Sequence, residues 1–257
     1  MELIKKIVRI GNSSGVVLPK EWLNGKARVE LIEKPANTQK EIFEILEQDL
    51  ADVEGIYLVG SYARKEENEK SDIDVLVITH KTNKKIIHGK YEVILISYDS
   101  LKNVLEKNIL PFLPMIIEAK AIVNDKLLNY FRNIKLTKKN LSWHIDSTKS
   151  ILKVNKEKIE LDREKGFTGD AVTYSLVLRL REVYIVECLI KNKTWSTQEF
   201  KHLIKRISGG LDVYEGYLRI KNNLQNRKKL PIEEADNLYN YIFKSINEQE
   251  KWLQKGR

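Results

Sequence analysis

GSYARKEENEKSDIDV, residues Gly60 to Val75, lies between two short apolar runs, Ile56-Tyr57-Leu58-Val59 before it and Val75-Leu76-Val77-Ile78 at its end. Both runs have strand length and strand composition. Gly60-Ser61 supplies the turn out of the first. In an extended strand residues i and i+2 share a face, so Asp72 and Asp74 are expected to project side by side. Two carboxylates that close repel each other unless a cation sits between them. Oxygen-only ligands favour Mg²⁺, which binds through one or two carboxylates plus substrate phosphates. The Gly-Ser turn offers backbone N–H groups and a hydroxyl to such phosphates. The pattern reads as a phosphoryl-transfer site.

This segment resembles the signature of the DNA polymerase β-like nucleotidyltransferase superfamily, notably its small bacterial and archaeal members. The resemblance covers roughly residues 38 to 125. Those proteins carry a Gly-Ser strand-to-helix turn, a D-x-D strand and a third carboxylate on a neighbouring strand. It implies Mg²⁺-dependent transfer of NMP from an NTP to a hydroxyl, with Asp72 and Asp74 bridging the metal. Gly60, Ser61 and the N–H groups after them would cradle the terminal phosphates, helped by the dipole of the following helix. Lys65 is a departure, since many small members have Gly after the Ala-Arg pair. Glu92, near the start of the run Lys90–Ile96, is the candidate third carboxylate. It reads either as a metal ligand, as the base for the attacking hydroxyl, or as an ordinary polar residue at a strand edge. Arg64 lies one helical turn past Ser61 and either reaches the same phosphates or answers Glu66 or Glu67 as a surface cation.

Residues 1–34 read as a separate module. Strand-like runs flank Gly11-Asn12-Ser13-Ser14-Gly15, which has turn composition, and Pro19–Leu23 suits one helical turn. A further strand is expected over Ala27–Ile32. So short a segment cannot bury an adequate core alone, and it contains no Cys, which points to a partner chain. Ile10–Trp22, IGNSSGVVLPKEW, resembles the SpoVT/AbrB swapped-hairpin domain in its MazE-like and archaeal forms. That resemblance implies a homodimer that binds DNA. The module's net charge of +3 suits phosphate contacts, and Arg9, Asn12 and Ser13 near the turn are the candidates. The other reading is a module that only dimerises the enzyme.

From Thr137 onward the strand signal disappears. Helices are expected over Thr137–Asp162, from a Thr168-Gly169-Asp170 cap to about Lys191, and over Thr197–Ile207, Leu211–Leu224 and Ile232–Leu253. The pattern looks like the helical domain after the catalytic domain of kanamycin-type nucleotidyltransferases, a fold shared with HEPN domains. The late Arg and His pair of HEPN nucleases is missing, so ribonuclease activity is not expected. His144 and His202 read as surface or core residues, and Cys188 as a packing thiol. Residues 36–136 carry 14 basic and 16 acidic side chains, whereas residues 137–257 carry 24 basic and 16 acidic. A basic bundle beside the site suggests a polyanionic acceptor such as RNA, or else a Lys-rich solvated surface.

The expected architecture is α+β and multidomain: a swapped hairpin over 1–34, a mixed-sheet nucleotidyltransferase domain over 36–136, and an all-α bundle over 137–257. With 257 residues, one Cys and no apolar run near the 18 a membrane span needs, a cytoplasmic enzyme without membrane partners is expected. Its acceptor would be RNA, protein or a small molecule. A second function is a dimeric DNA-binding regulator, perhaps toxin–antitoxin-like, whose nucleotidyltransferase fold senses nucleotide. A drug-modifying enzyme ranks last, since aminoglycosides call for an acidic pocket.

Overall fold

The computed structural model describes residues 3–30, 38–69, 71–222, 224 and 229–255. The chain divides into two compact units, residues 1–41 and 42–257. In the first, β1 (Val8–Ile10) and β2 (Ser13–Gly15) form an antiparallel hairpin. Gly11 (φ 59°) makes its turn in a left-handed conformation that suits glycine. A single 3-10 turn, Lys20–Trp22, follows Pro19. The strand expected over Ala27–Ile32 is not formed at residues 27–30, and residues 31 and 32 lie outside the described ones. A strand needs a bonded neighbour, and within this chain β1 and β2 are three residues each and already paired. No described residue from 3 to 30 is buried. Helix α1 (Thr38–Ile45) runs across the boundary between the units.

The second unit begins with a five-stranded mixed sheet. β3 (Val53–Val59) leads into the short helix α2 (Gly60–Arg64), and β4 (Ile73–Thr79), β5 (Lys84–His88) and β6 (Tyr91–Ser97) follow. Helices α3 (Tyr98–Lys107) and α4 (Leu113–Glu118), edge strand β7 (Lys120–Val123) and α5 (Asp125–Arg132) complete this part. The strand order is β5-β6-β4-β3-β7, with β4 and β6 parallel and the other neighbours antiparallel.

Both faces of the sheet are covered, which explains why its central strands read as unbroken apolar runs. Ile73, Val75 and Val77 of β4 pack with Ile42 and Leu46 on one face. Leu76 and Ile78 pack with Leu101, Leu105 and Phe131 on the other. By the two-residue period Asp74 belongs to the Leu76 and Ile78 face, and Glu92 to the Ile94 and Ile96 face of β6.

The helices that follow are α6 (Lys138–Asp162), α7 (Asp170–Ile190), α8 (Thr197–Ser208), α9 (Asp212–Lys221) and α10 (Ile232–Lys255). Each lies within a few residues of its expected span. Thr137 and Asn140 close a capping box at the start of α6, as S/T-x-x-polar patterns do. Thr168 does not cap α7. It belongs to β8 (Phe167–Thr168), which pairs with β9 (Leu230–Pro231), a small ladder where no strand was expected. Its hydroxyl donates to Asp162 instead. Helix α7 runs through the middle, with Leu176, Val177, Leu180 and Val183 wholly buried. Leu141 and Val186 join the core beneath the sheet, so sheet and helices share hydrophobic packing across residue 137.

Candidate active site

The Gly-Ser turn is built by sterics. Gly60 has φ 70°, a conformation rare for other residues. A Cβ on Gly60 would lie 2.1 Å from Oδ2 of Asp74. Only glycine lets the end of β3 approach that carboxylate so closely, since Val59 is Asp74's partner across the ladder. Asp72 lies just before β4 rather than in it. Glu92 sits beside Asp74 in the parallel register of β4 and β6. Burial pushes the Asp74 carboxyl up, and the negative charges of Glu92 and Asp72 push it further, against the pull of Arg64 and Lys221. Two of the acidic residues singled out from the sequence therefore act on the third, Asp74.

Among the described residues no three His, Cys, Asp or Glu side chains converge tightly enough to hold a metal ion. Glu92 is engaged by Lys85, Nζ to Oε1 2.7 Å, in a pair whose side chains are 50% and 37% exposed. The donor set nevertheless fits Mg²⁺ chemically. It is made of hard oxygens, and Mg²⁺ needs only one or two carboxylates when phosphates supply the rest.

Arg64 answers Glu66, the second of its two sequence readings, and Glu118 as well. Its Nη1 donates to Glu118 Oε2 at 2.6 Å and its Nε to Glu66 Oε2 at 2.9 Å. Its guanidinium carbon stacks 3.8 Å from the centroid of Trp195. The N–H of Gly60 is also committed, donating to Glu118 Oε1 at 2.8 Å. That leaves the Ser61 hydroxyl and the amides after Gly60 as the turn's remaining donors. Helix α2 spans five residues, so the helix dipole expected there is slight. Lys65 ends it with φ 60°, the left-handed position that explains why a glycine suits the site.

A cleft of about 570 Å³ opens beside the turn. Ser61 and Asp74 line it from the sheet side, and Arg181 of α7 and Lys221 of α9 from the helical side. Met115, Trp143 and Ile185 form an apolar stretch of its wall. Glu118, Arg181, Trp195 and Lys221 were not singled out from the sequence. They lie 58 to 161 residues beyond Gly60, and no local spacing announces them. The only available signal was the basic balance of the bundle. In the first unit Arg9, Asn12 and Ser13 all lie exposed around the hairpin turn, with Arg9 Nε donating to the Gly11 carbonyl at 2.9 Å.

Residues 39–172 match the family model of the nucleotidyltransferase domain. The chain belongs to this family. The matched span holds Gly60, Ser61, Asp72, Asp74, Glu92 and Glu118, and leaves Arg181, Trp195 and Lys221 beyond it. No curated protein matches this nucleotidyltransferase. Among solved structures it is similar to a nucleotidyltransferase-like protein from Exiguobacterium sibiricum 255-15, at 15% identity over 83% of this chain and 76% of that one, with a TM-score of 0.38. It is also similar to a spectinomycin adenyltransferase from Enterococcus faecialis solved with ATP and spectinomycin, at 16% identity over 83% of this chain and 100% of that one, with a TM-score of 0.43. Among the described residues no helix of the nucleotidyltransferase is long and apolar enough to cross a membrane.

Proposed function

We propose that this nucleotidyltransferase moves NMP from an NTP to a hydroxyl on an RNA, protein or small-molecule acceptor, with Mg²⁺ as its metal. The observation that carries this reading is the seating of Asp74 against Gly60, at the mouth of a cleft whose far wall presents Arg181 and Lys221. Asp72 and Asp74 are the proposed metal ligands, and Glu92 the third carboxylate once its exposed Lys85 partner gives way. Bound Mg²⁺ would neutralise charge on the departing pyrophosphate and lower the pKa of the acceptor hydroxyl. Ser61 and the amides after it hold the terminal phosphates on one side. Arg181 and Lys221 answer the same negative charge from the other, where a cleft strengthens each charge-assisted hydrogen bond.

The test is incubation of the protein with Mg²⁺ and each α-³²P-labelled NTP in the presence of total RNA or cell lysate. Label transferred by the wild type and lost in Asp72→Ala/Asp74→Ala is the expected result, and the labelled band identifies the acceptor class. Equal transfer by the double variant would refute the site.

A second reading concerns residues 1–34, and one observation favours it. Ile4, Val17, Leu23 and Val29 are 76%, 65%, 76% and 68% exposed, an apolar set that one chain leaves uncovered. We propose that a second copy of the same segment covers it, as the swapped-hairpin resemblance implies. The paired hairpins would then offer Arg9, Asn12 and Ser13 to DNA, making the protein a regulator as well as an enzyme. Sedimentation and DNA gel-shift of the full chain against a variant lacking residues 1–34 test this. Unchanged mass and unchanged DNA binding in the truncated chain would exclude it.

A further inference from the structure

Arg64 is held more firmly than a surface cation, with two carboxylates as its hydrogen-bond partners. Its side chain is 10% exposed, lies between two carboxylates and is stacked on an indole. Each partner grips something else. Glu118, 3% exposed, uses its second oxygen to accept the Gly60 N–H. Glu66 accepts the Ser196 hydroxyl at 2.7 Å and the Thr197 N–H at 3.0 Å, at the start of α8. Trp195 is the residue before that cap. A continuous line of bonds thus runs from the Gly-Ser turn through Glu118, Arg64 and Glu66 to the first turn of α8.

Such a line is stiff. A planar guanidinium forked between two carboxylates and flat against a ring has one arrangement that satisfies every partner, and desolvation strengthens each bond in it. The Glu118 carboxyl is pushed up by burial and drawn back by Arg64 and the Gly60 amide. Losing either partner would leave a nearly buried carboxylate without compensation. What the line fixes at its far end is Gly60, whose approach to Asp74 leaves no room even for a Cβ.

We propose that Glu118, Arg64, Glu66 and Trp195 are positioning residues forming a latch, through which the helical bundle sets the Gly60–Ser61 turn and with it the grip on the donor's terminal phosphates. The inference rests on the reading that this turn binds a triphosphate. It adds that the turn's affinity is set partly by residues 195–197 of the bundle, which touch no ligand themselves.

The test is titration calorimetry on the full chain with Mg²⁺, comparing non-hydrolysable analogues of the four NTPs with the matching NMPs. Glu118→Gln keeps the volume but breaks the pairing with Arg64. Ser196→Ala removes one bond at the other end and serves if the first variant does not fold, with thermal melting as the check. A lost charge-assisted bond predicts about tenfold weaker triphosphate binding in these variants. Monophosphate binding should be unchanged, a split that general loosening of the fold would not produce. A preference for triphosphate that disappears in Ser61→Ala but persists in both latch variants overturns the latch alone. A wild type that binds NTP and NMP alike overturns the reading of the turn, and the latch with it.

Discussion

Residues 3–30 bury no side chain, whereas Ile56, Leu76, Leu180 and Ile242 in the second unit are wholly removed from solvent. The two regions are similar in local character, since both alternate apolar stretches with turn residues. They differ in what surrounds them. The sheet is covered on one face by α1 and on the other by α3 to α5 and the bundle, while the hairpin is two strands of three residues each. An apolar pattern records where a chain can bury surface, and whether it does so within one chain depends on length and layers.

Four experiments sharpen or break that contrast, beginning with the largest effect. Asp74→Asn removes the central carboxylate of the site and should lower nucleotidyl transfer by about 10³-fold, on the scale of losing one preorganised electrostatic group. Leu23→Ser, just after the 3-10 turn of the first unit, should leave transfer by the second unit intact. A label-transfer time course on both variants reads this, and equal loss in the two would break the division of labour.

The second compares the same two regions by stability. Ile242→Ala empties a wholly buried position and should cost about 2–5 kcal/mol in urea unfolding at any protein concentration. Leu23→Ser should leave that midpoint where it was and shift only the concentration dependence of self-association.

The third tests the tie between α2 and α8. Burial pushes the Glu66 carboxyl up, but hydrogen bonds from Arg64, Ser196 and Thr197 outweigh it and bring it from 4.5 down to about 2. A carboxyl lowered by folding contributes stability that is fully present above pH 4.5 and is lost as pH falls toward 2. Glu66→Gln should therefore be less stable than wild type at neutral pH, with the gap closing over that window. Parallel urea titrations would expose a gap that stays constant with pH, which would remove Glu66 from the ionic tie.

The smallest effect belongs to Lys65. It holds φ 60° without glycine's freedom, so Lys65→Gly should stabilise the second unit by about 0.5–1 kcal/mol. A lower melting temperature in differential scanning would show that the lysine side chain contributes something the backbone argument omits.

Much of the second unit was readable from local pattern. β3, β4 and β6 contain the apolar runs read from the sequence, because a strand covered on both faces is apolar over most of its length. The five bundle helices fall close to their periodic spans, whereas the cap expected at Thr168-Gly169-Asp170 makes no side-chain hydrogen bond to α7. Asp72, Asp74 and Glu92 were singled out by chemistry and spacing, and in the fold Glu92 and Asp72 both push the Asp74 carboxyl up. Arg64 answers Glu66, as one of its two readings had it, but its one-turn distance from Ser61 says nothing of Glu118, which arrives from α4. The Ala27–Ile32 strand failed at its described residues for the converse reason, as β-propensity without a bonded neighbour makes no ladder.

The sequence by itself determined the alternation of strands and helices, the glycine turn and the pair of aspartates. All of these depend on backbone sterics, hydrophobic period and charge among residues close in the chain. Only the tertiary structure decided which cations face the aspartates, what holds the turn, and which apolar residues stay in water. Those outcomes depend on packing between segments far apart in the chain, and no local spacing encodes them.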